Sequence, residues 1–502
     1  MSPSGCAPLK SGVHHRQLLR RQWRPQITTH RGRLAYSISV VVARFRGRAC
    51  CTSIDVPTPL STLPMLIATA ALAAAGKCTP DFVNVARTGR RTRGAFPLLL
   101  IGLLTAASPL AGQQGASGAV NDAGRAPGDE RGGVRLGTGG EVALTLGGYL
   151  QVDGRWVSGA LQSQPDGLLL RRARLIFDAA MPGGWHVRLQ PDFGQGRVLV
   201  QDAFVGFEGA RVVARIGRFR PAYGVERFQS SATLLHSERS LVNSLMPSRS
   251  FGAQVAVQRD ALTLTFGAFR TPIGTDLQVV DTDGDVDARG GSGHDWLARA
   301  AWARQRGARY ASAQLALIAG RERGETEATG VSRLLTVGQQ PLLAFRSDGT
   351  GDGTAVADGA RRRLSGGGLL GNAHTMLAFE GALFTQGARV ADTRREVTAG
   401  VLAWRGAHVI GGTRRNSQEV LPSSSRGALD LGARIAVLGV WGEDIGRVIT
   451  RRSVTRATSG GVAVGWIPTS LTRLSLAYEL TVAPPGRSVR EHALFLRVQQ
   501  GF

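Results

Sequence analysis

The chain has 502 residues, with 61 Lys and Arg against 36 Asp and Glu, and a formal net charge of +25 at pH 7. Such a charge suits a nucleic-acid-binding protein, but the arginines after residue 112 are spread singly and alternate with acids, which argues against a basic binding stripe. The four cysteines are Cys6, Cys50, Cys51 and Cys78. The chain after residue 80 therefore forms no disulfide or zinc–thiolate site and has no cysteine nucleophile.

The first 112 residues differ from the rest in composition, since they carry 15 basic and only two acidic side chains. Residues 1–89 are Arg-rich and lack a clear hydrophobic period, which predicts a non-native or unstructured leader. Residues 90–112 begin with three arginines, continue through the apolar run 96–107 and end in small residues, which is the layout of a secretory signal peptide. Twelve apolar residues are too few for a spanning helix, which needs roughly 20. A short buried helix is the alternative interpretation.

Residues 113–140 are predicted to be a flexible N-terminal segment. From residue 141 to the end, segments of roughly 8–12 residues alternate apolar and polar side chains between Gly, Pro, Asp and Ser. One such segment is 171–180, where Ala173, Leu175 and Phe177 share one face. Its opposite face carries Arg172, Arg174 and Asp178. Because successive side chains of a strand point to opposite faces, each segment is predicted to be a strand with one apolar and one charged face.

Two architectures accept such strands, namely a half-exposed soluble sheet and a barrel with lipid outside and water inside. The signal peptide, the count of about 16 segments and the many small residues favour the barrel. The terminal Phe502 also closes an alternating strand, as expected where a barrel joins its last strand to its first. The fold class is therefore predicted to be all-β, a transmembrane antiparallel β-barrel over residues 141–502.

Five stretches between residues 147 and 257 resemble the phosphate-selective porin O and P family. They are GGYLQVDGRW (147–156), LLLRRARLIFDAAMPGGWHVRLQPDF (168–193), VQDAFVGFEG (200–209), RIGRFRPAYGVERFQSSATLLHSERS (215–240) and MPSRSFGAQVAV (246–257). The resemblance implies a 16-stranded, trimeric barrel in the outer membrane of a Gram-negative-type bacterium, with basic side chains that conduct small anions. It also implies an inward-folded constriction loop, which we assign to residues 220–249. Family members also use a lysine cluster; this chain has no lysine after Lys77, so its anion sites must use arginine.

The strand phases place one set of charged side chains toward the lumen, because an arginine at the lipid midplane costs about 2–4 kcal/mol. The predicted pore-lining residues are Arg172, Arg174, Asp178, Arg188, Asp192 and Arg215. Those predicted to set the field of the constriction loop are Glu226, Arg227, Glu238, Arg239 and Arg249. Positive side chains would lower the barrier for anions. The alternative is a salt-bridge lattice in which these arginines pair with Asp178, Asp192 and Asp202.

The acidic segment DTDGDVD resembles the start of a calcium loop, with Asp281, Asp283, Asp285 and Asp287 at alternate positions. Val286 stands where an EF-hand needs Gly, so a solvated acidic loop is the favoured interpretation and no metal is assigned. The seven tryptophans after residue 150 are predicted to lie at membrane interfaces or in the core.

Enzyme motifs are absent from the sequence: there is no G-x-S-x-G, H-E-x-x-H or phosphate-binding loop. The adjacent His236 and Ser237 lack an orienting partner in sequence. We therefore predict a passive outer-membrane porin for small anions, possible substrates being phosphate and polyphosphate, with no cofactor and no nucleic-acid partner. A general or organic-anion porin, an outer-membrane barrel hydrolase and a soluble basic β-protein are the alternatives.

Overall fold

The computed structural model describes the chain in segments. They are residues 27–30, 33–44, 48–55, 134–135, 142–159, 166–196, 198–270, 280–281, 285–286, 292–415, 418–483 and 490–502. The chain divides into two units, Met1–Thr105 and Ala106–Phe502. In the first unit an antiparallel sheet joins Ile27–His30, Arg33–Arg44 and Arg48–Asp55. The signal peptide predicted at 90–112 lies outside the described residues.

Sixteen antiparallel strands of the second unit form a closed barrel. In chain order they are β1 Ala143–Gly159, β2 Gly167–Ala180, β3 Trp185–Asp192, β4 Leu199–Glu208, β5 Val212–Phe219, β6 Ser250–Arg259, β7 Leu262–Arg270, β8 Ser292–Arg306, β9 Arg309–Arg323, β10 Val356–Gly371, β11 Thr375–Val390, β12 Thr393–Ile410, β13 Ala428–Trp441, β14 Arg456–Ile467, β15 Thr472–Val482 and β16 Arg490–Gly501. The two-residue strand Val134–Arg135 pairs with the start of β1. The predicted fold class is confirmed.

The barrel closes between its first and last strands. Residues 491–501 of β16 pair antiparallel with 149–159 of β1, and Phe502 exchanges backbone hydrogen bonds with Gly148 at 3.1 and 3.3 Å. Closure leaves no open edge in the hydrocarbon region, where an unpaired backbone group costs several kcal/mol.

The two faces of the wall differ in chemistry, as the alternation predicts. In β13, Leu431 and Ile435 are exposed on the outside, whereas Asp430 and Arg434 are buried on the inside. The seven tryptophans after residue 150 are all exposed, between 41% and 62%. No helix in the described part of the chain is long and apolar enough to cross a membrane.

The strand connections differ at the two ends of the barrel. At one end, called here the short-turn end, most connections are brief, such as 260–261 and 307–308. The exception is 411–427, which carries a two-stranded hairpin of Gly412–Arg415 and Glu419–Pro422. At the opposite, long-loop end the connections 220–249 and 324–355 fold inward, and their apolar side chains pack against buried apolar side chains of the strands.

Candidate functional site

The constriction loop is residues 220–249, between β5 and β6, and it crosses the lumen. Nearly all of its residues are buried; Tyr223 has no exposed surface, and Leu241, Val242 and Leu245 are at most 2% exposed. The hydroxyl of Ser244 donates to the carbonyl of Leu335 in the neighbouring loop 324–355 at 3.0 Å. The two loops therefore pack as one body against the wall.

The N-terminal part of the constriction loop is held to the wall through its backbone amides. Glu380 on β11 accepts the amide of Val225 at 2.7 Å and the amide of Glu226 at 2.8 Å, one on each carboxylate oxygen. A third donor, Ser365 on β10, reaches the same carboxylate at 3.3 Å. Because one side chain accepts two consecutive backbone amides, Glu380 fixes how far the loop enters the lumen.

The centre of the loop is held by Ser231. Its hydroxyl is 2.8 Å from that of Tyr149 on β1 and accepts from Arg174 on β2 at 3.0 Å. Its carbonyl accepts from Gln151 at 3.0 Å. Arg473 of β15, two strands from β1, donates to the carbonyls of Thr233 and Leu234 in the same loop. Together with Glu380 on β11, these contacts tie the loop to both sides of the barrel.

Two loop carboxylates form ion pairs with the wall. Glu226 accepts from the Ser240 hydroxyl at 2.5 Å and lies 3.5 Å from Arg434. Glu238 accepts from Arg171 Nε at 2.7 Å and Nη2 at 3.1 Å. Burial raises the pKa of Glu238, but Arg171 and other nearby arginines outweigh burial and lower the pKa to about 2. Burial also raises the pKa of Glu226, but Arg405 and Arg434 outweigh burial and hold this pKa below its usual range, so both acids are ionised at neutral pH.

The predicted pore-lining residues on β2 and β3 lie close together. Arg174 donates to Asp192 at 2.7 Å, and Arg188 donates to both oxygens of Asp178 at 2.7 and 2.8 Å. Arg172 has no exposed surface and donates to Gln151 at 2.8 Å. Arg215, on β5, stacks 4.9 Å from the ring centroid of Phe204.

The predicted basic residues of the loop contact both the loop and the wall. Arg227 donates to Asn243 at 3.0 Å, and Arg239 donates to the Gln229 carbonyl at 2.7 Å. Arg249 donates to Asp202 on β4 at 2.8 Å. These contacts place cations and paired acids around one constriction, so the lattice and field-setting interpretations apply to the same residues.

Arg171 contacts the loop although the simple alternation directs it outward. Residue 171 lies in a bulge, because Gln151 pairs with Arg172 while Val152 pairs with Leu170. The inserted residue brings both Arg171 and Arg172 to the inner face, where they are 6% and 0% exposed.

Several loop contacts come from strands that the motifs do not reach. Besides Glu380 and Arg473, Arg405 on β12 donates to Gln229 at 2.6 Å. Arg434 on β13 donates to Glu479 on β15 at 2.7 Å and to the Glu238 carbonyl at 2.8 Å. Strand alternation predicts that these side chains point inward. It does not predict which residues of the loop they contact, because the loop lies more than 100 residues earlier in the chain.

His236 has a partner that the sequence analysis missed. Its Nδ1 lies 2.9 Å from Glu479, while burial and Arg434 hold the pKa of His236 below its usual range. Ser237 is 1% exposed, and its hydroxyl has no hydrogen-bond partner among the described residues. A serine nucleophile needs a base within about 2.6–3.2 Å, and this geometry does not provide that contact.

The calcium candidate falls partly outside the described residues, which omit Asp283 and Asp287. In the backbone register of a short antiparallel pairing, Val280–Asp281 pairs with Asp285–Val286, and Asp281 is the partner of Asp285. Among the described residues, no group of three or more His, Cys, Asp or Glu converges as a metal site.

Comparison with known proteins places residues 145–344 in the family model described as phosphate-selective porin O and P, which confirms the resemblance carried by the motifs. No curated protein matches the sequence.

Solved structures similar in shape include the outer membrane channel DcaP of Acinetobacter baumannii, at 10% identity and a TM-score of 0.49, covering 74% of this chain and 100% of that one. OmpT of Vibrio cholerae is 10% identical, with a TM-score of 0.44 and coverage of 73% and 99%. The anion-selective porin from Comamonas acidovorans is 11% identical, with a TM-score of 0.44 and coverage of 72% and 100%.

Proposed function

We propose that this outer-membrane porin, which matches the phosphate-selective porin O and P family over residues 145–344, conducts small inorganic anions, phosphate among them. The family match indicates a channel rather than an enzyme. The mechanism we propose is passive: anions cross a narrow lumen whose field is set by fixed guanidinium groups.

The surplus of buried arginine supports this proposal. Among the described residues, 15 arginines and ten acidic side chains are buried. Because guanidinium groups stay protonated and donate in a planar fork, they suit phosphate and carboxylate oxygens. Because Arg172 and Arg174 are almost fully buried, we propose that the cluster of Arg172, Arg174 and Arg188 acts on permeating anions through its electrostatic field, with Asp178 and Asp192 holding the arginines in place.

Selectivity is measured by reconstituting residues 113–502 in a planar bilayer under a salt gradient. The reversal potential should take the sign of an anion-selective pore, with phosphate carrying current when it replaces chloride. The absence of channel steps would contradict the porin assignment. A cation-selective potential would contradict the anion proposal, and a lack of phosphate current would contradict the phosphate proposal.

A matched pair of variants tests the role of the lumenal arginines. Arg405→Gln removes a cation beside Glu226 in the lumen, whereas Arg362→Gln removes an exposed arginine from the outer face of β10. A charge about 8 Å from a permeating anion contributes about 1 kcal/mol at an effective dielectric constant near 40. The lumenal variant should therefore reduce the anion permeability about fivefold and lower the anion-to-cation permeability ratio by more than that, and the outer variant should leave the ratio unchanged.

We also propose a homotrimer, because the strands on one side of the barrel are too short to span the apolar band of the membrane. The strands β3 and β5 each have eight residues, whereas β11 has 16 and β12 has 18. Eight residues span about 27 Å along the strand, or about 19 Å at a 45° tilt, which is less than an apolar band of about 25 Å. A neighbouring copy would cover this side.

Cross-linking of single cysteines tests the trimer, because the chain after Cys78 has none of its own. A bis-maleimide reagent should join copies that carry Val205→Cys on β4, beside the short strands. It should not join copies that carry Leu402→Cys on the long strand β12. Both side chains are exposed, at 40% and 55%. Native mass spectrometry should give three copies; a monomer, or cross-links through position 402 alone, would contradict the proposed interface.

A further inference from the structure

A chamber of about 450 Å³ lies in the lumen beside the constriction loop, toward the short-turn end. Gly224, Val225 and Phe228 of the loop line it on one side. The hairpin of Gly412–Arg415 and Glu419–Pro422 lines it on the other, and β8, β9 and β10 form its wall. The chamber is therefore a compartment between the constriction and the short-turn mouth, with a volume in the range of small-molecule sites.

One part of the chamber has a fixed donor arrangement. The Arg299 guanidinium lies 4.8 Å from the Phe228 ring centroid, and its Nε donates to the side-chain Oε1 of Gln314 at 2.7 Å. A guanidinium only donates, so the oxygen of the Gln314 amide must face it and Nε2 must point elsewhere. This Nε2 has no hydrogen-bond partner in the described part of the chain.

Two more chamber residues carry buried polar atoms without partners. Tyr310 lies four residues before Gln314 on the same inner face of β9, and its hydroxyl is unpaired among the described residues. Arg414, on the hairpin, donates Nη2 to Asp430, while its Nε is unpaired in the same sense. A buried donor without an acceptor costs about 1–3 kcal/mol, so an acceptor brought by a ligand would relieve that cost.

The rest of the chamber wall is apolar and free of acids. Phe228, Leu369 and Leu421 contribute large apolar side chains, and Gly367 and Gly368 leave the wall flat beside them. No Asp or Glu is among the residues that line the chamber within the described ranges. This combination of cations, neutral donors and apolar surface suits an anion that has an apolar body, and it suits a fully hydrated inorganic ion less well.

We propose that this chamber binds a small organic anion that carries one carboxylate on a planar apolar ring. The inference rests on the proposed function, because the ligand reaches the chamber through the pore. The ring lies against Phe228 and Leu369, and the carboxylate accepts from Gln314, Tyr310 and the arginines. A cavity of about 150 Å³ holds one benzene, so the chamber accommodates a ring, its carboxylate and bound water.

Block of the chloride current tests the proposal, with benzoate, inorganic phosphate and benzyl alcohol as probes on bilayers that contain residues 113–502. Benzoate should interrupt the current at concentrations at least tenfold below those at which phosphate or benzyl alcohol does so. Equal block by phosphate and benzoate would overturn the organic-anion assignment, and equal block by benzyl alcohol would overturn the role of the carboxylate.

Two conservative variants locate the block. Gln314→Leu and Tyr310→Phe each remove one donor with little change in shape, and each should raise the half-blocking benzoate concentration about five- to tenfold. The control, Leu315→Val, changes a 58% exposed side chain on the outer face of the same strand and should leave the block unchanged. Unchanged block in both lumenal variants would overturn the site.

The two proposals fail in distinguishable ways. An anion-selective reversal potential without benzoate block leaves the porin function in place and removes the chamber site. If a preparation gives no channels, saturation-transfer NMR of benzoate on the detergent-solubilised barrel tests the site directly. A signal lost in Gln314→Leu supports the site, and the absence of a signal from the parent protein overturns it.

Discussion

Arg497 on the last strand donates to Asp153 on the first strand, through Nε at 2.7 Å and Nη2 at 2.6 Å. Arg497 is 0% exposed and Asp153 is 3% exposed, so the ion pair is buried at the seam, where the first and last strands of the barrel meet. The seam of the barrel therefore has a bidentate, buried contact in addition to its backbone ladder.

Removing one partner of this pair should destabilise the whole barrel. Asp153→Ala leaves Arg497 buried without its carboxylate, which typically costs 3–5 kcal/mol. The free energy of unfolding, measured by urea titration in lipid vesicles with tryptophan fluorescence, should fall by about that amount.

Two further variants define this effect. Arg447→Ala breaks the exposed pair with Asp444 and should have no measurable effect, since surface pairs contribute little. The double variant Asp153→Leu with Arg497→Leu should recover part of the loss, because neither charge is then left unpaired. A loss in Arg447→Ala as large as in Asp153→Ala would refute the special role of the seam.

Gly148 should tolerate no side chain. A Cβ built there lies 2.6 Å from the ring of Phe502 and also meets the carbonyl oxygen of Arg174. Gly148→Val should therefore reduce the fraction of chain that folds, measured by the heat-dependent shift in mobility on a denaturing gel. The control is Gly446→Val, at a position with no atom within 4 Å of a built Cβ. Normal folding of Gly148→Val would show that Phe502 is not packed at the seam.

Glu380 should control the position of the constriction loop. Glu380→Gln replaces one acceptor oxygen by an NH2 group, which cannot accept a hydrogen bond, so one of the Val225 and Glu226 amides loses its acceptor. A buried donor without an acceptor costs about 1–3 kcal/mol, so the loop should fluctuate more widely and single-channel current noise should rise. Glu396→Gln, at an exposed position of β12, should keep the parental noise. Identical traces for both variants would mean that Glu380 does not hold the loop.

Acidification should release the loop only at very low pH. The pKa of Glu238 is lowered from 4.5 to about 2, so its ion pair with Arg171 stabilises the loop fully above about pH 4.5. That stabilisation is lost progressively as the pH falls from there through about 2. Proteolysis of the loop should therefore increase between pH 4.5 and 2 in the parent.

The matched variant for this pH dependence is Glu238→Gln, which removes the titrating group. It should be cleaved at neutral pH as readily as the parent is near pH 2. Pepsin is used below pH 4.5 and a neutral protease at pH 7, and each rate is divided by that enzyme's rate on an unfolded substrate at the same pH. Equal resistance of the parent and Glu238→Gln at pH 7 would contradict the role of the ion pair.

The alternation of apolar and polar residues was sufficient to predict much of the wall. It places Arg172 and Arg174 on the buried inner face of β2, as found. The assignment of the constriction loop to residues 220–249 likewise agrees with the end of β5 at Phe219 and the start of β6 at Ser250. The alternation directs Arg171 to the wrong face, because a bulge adds one residue and nothing in the local sequence marks it.

The contacts across the lumen were beyond sequence reasoning. Glu380 binds the backbone of residues more than 150 positions earlier, and a backbone acceptor leaves no complementary side chain to recognise. The hairpin of Gly412–Arg415 and Glu419–Pro422 likewise has no recognisable sequence pattern, because its strands are only four residues long.

Cysteine accessibility at two positions of β9 tests the two-faced, water-filled barrel most directly. Residues 113–502 contain no cysteine, so a single introduced thiol is the only target. Ser312 lines the chamber, whereas Leu315 is 58% exposed on the outer face. A charged methanethiosulfonate reagent, added to the aqueous phase of a planar bilayer, should reduce the current of Ser312→Cys and leave Leu315→Cys unchanged. Modification of Leu315→Cys with loss of current, together with an inert Ser312→Cys, would contradict the account.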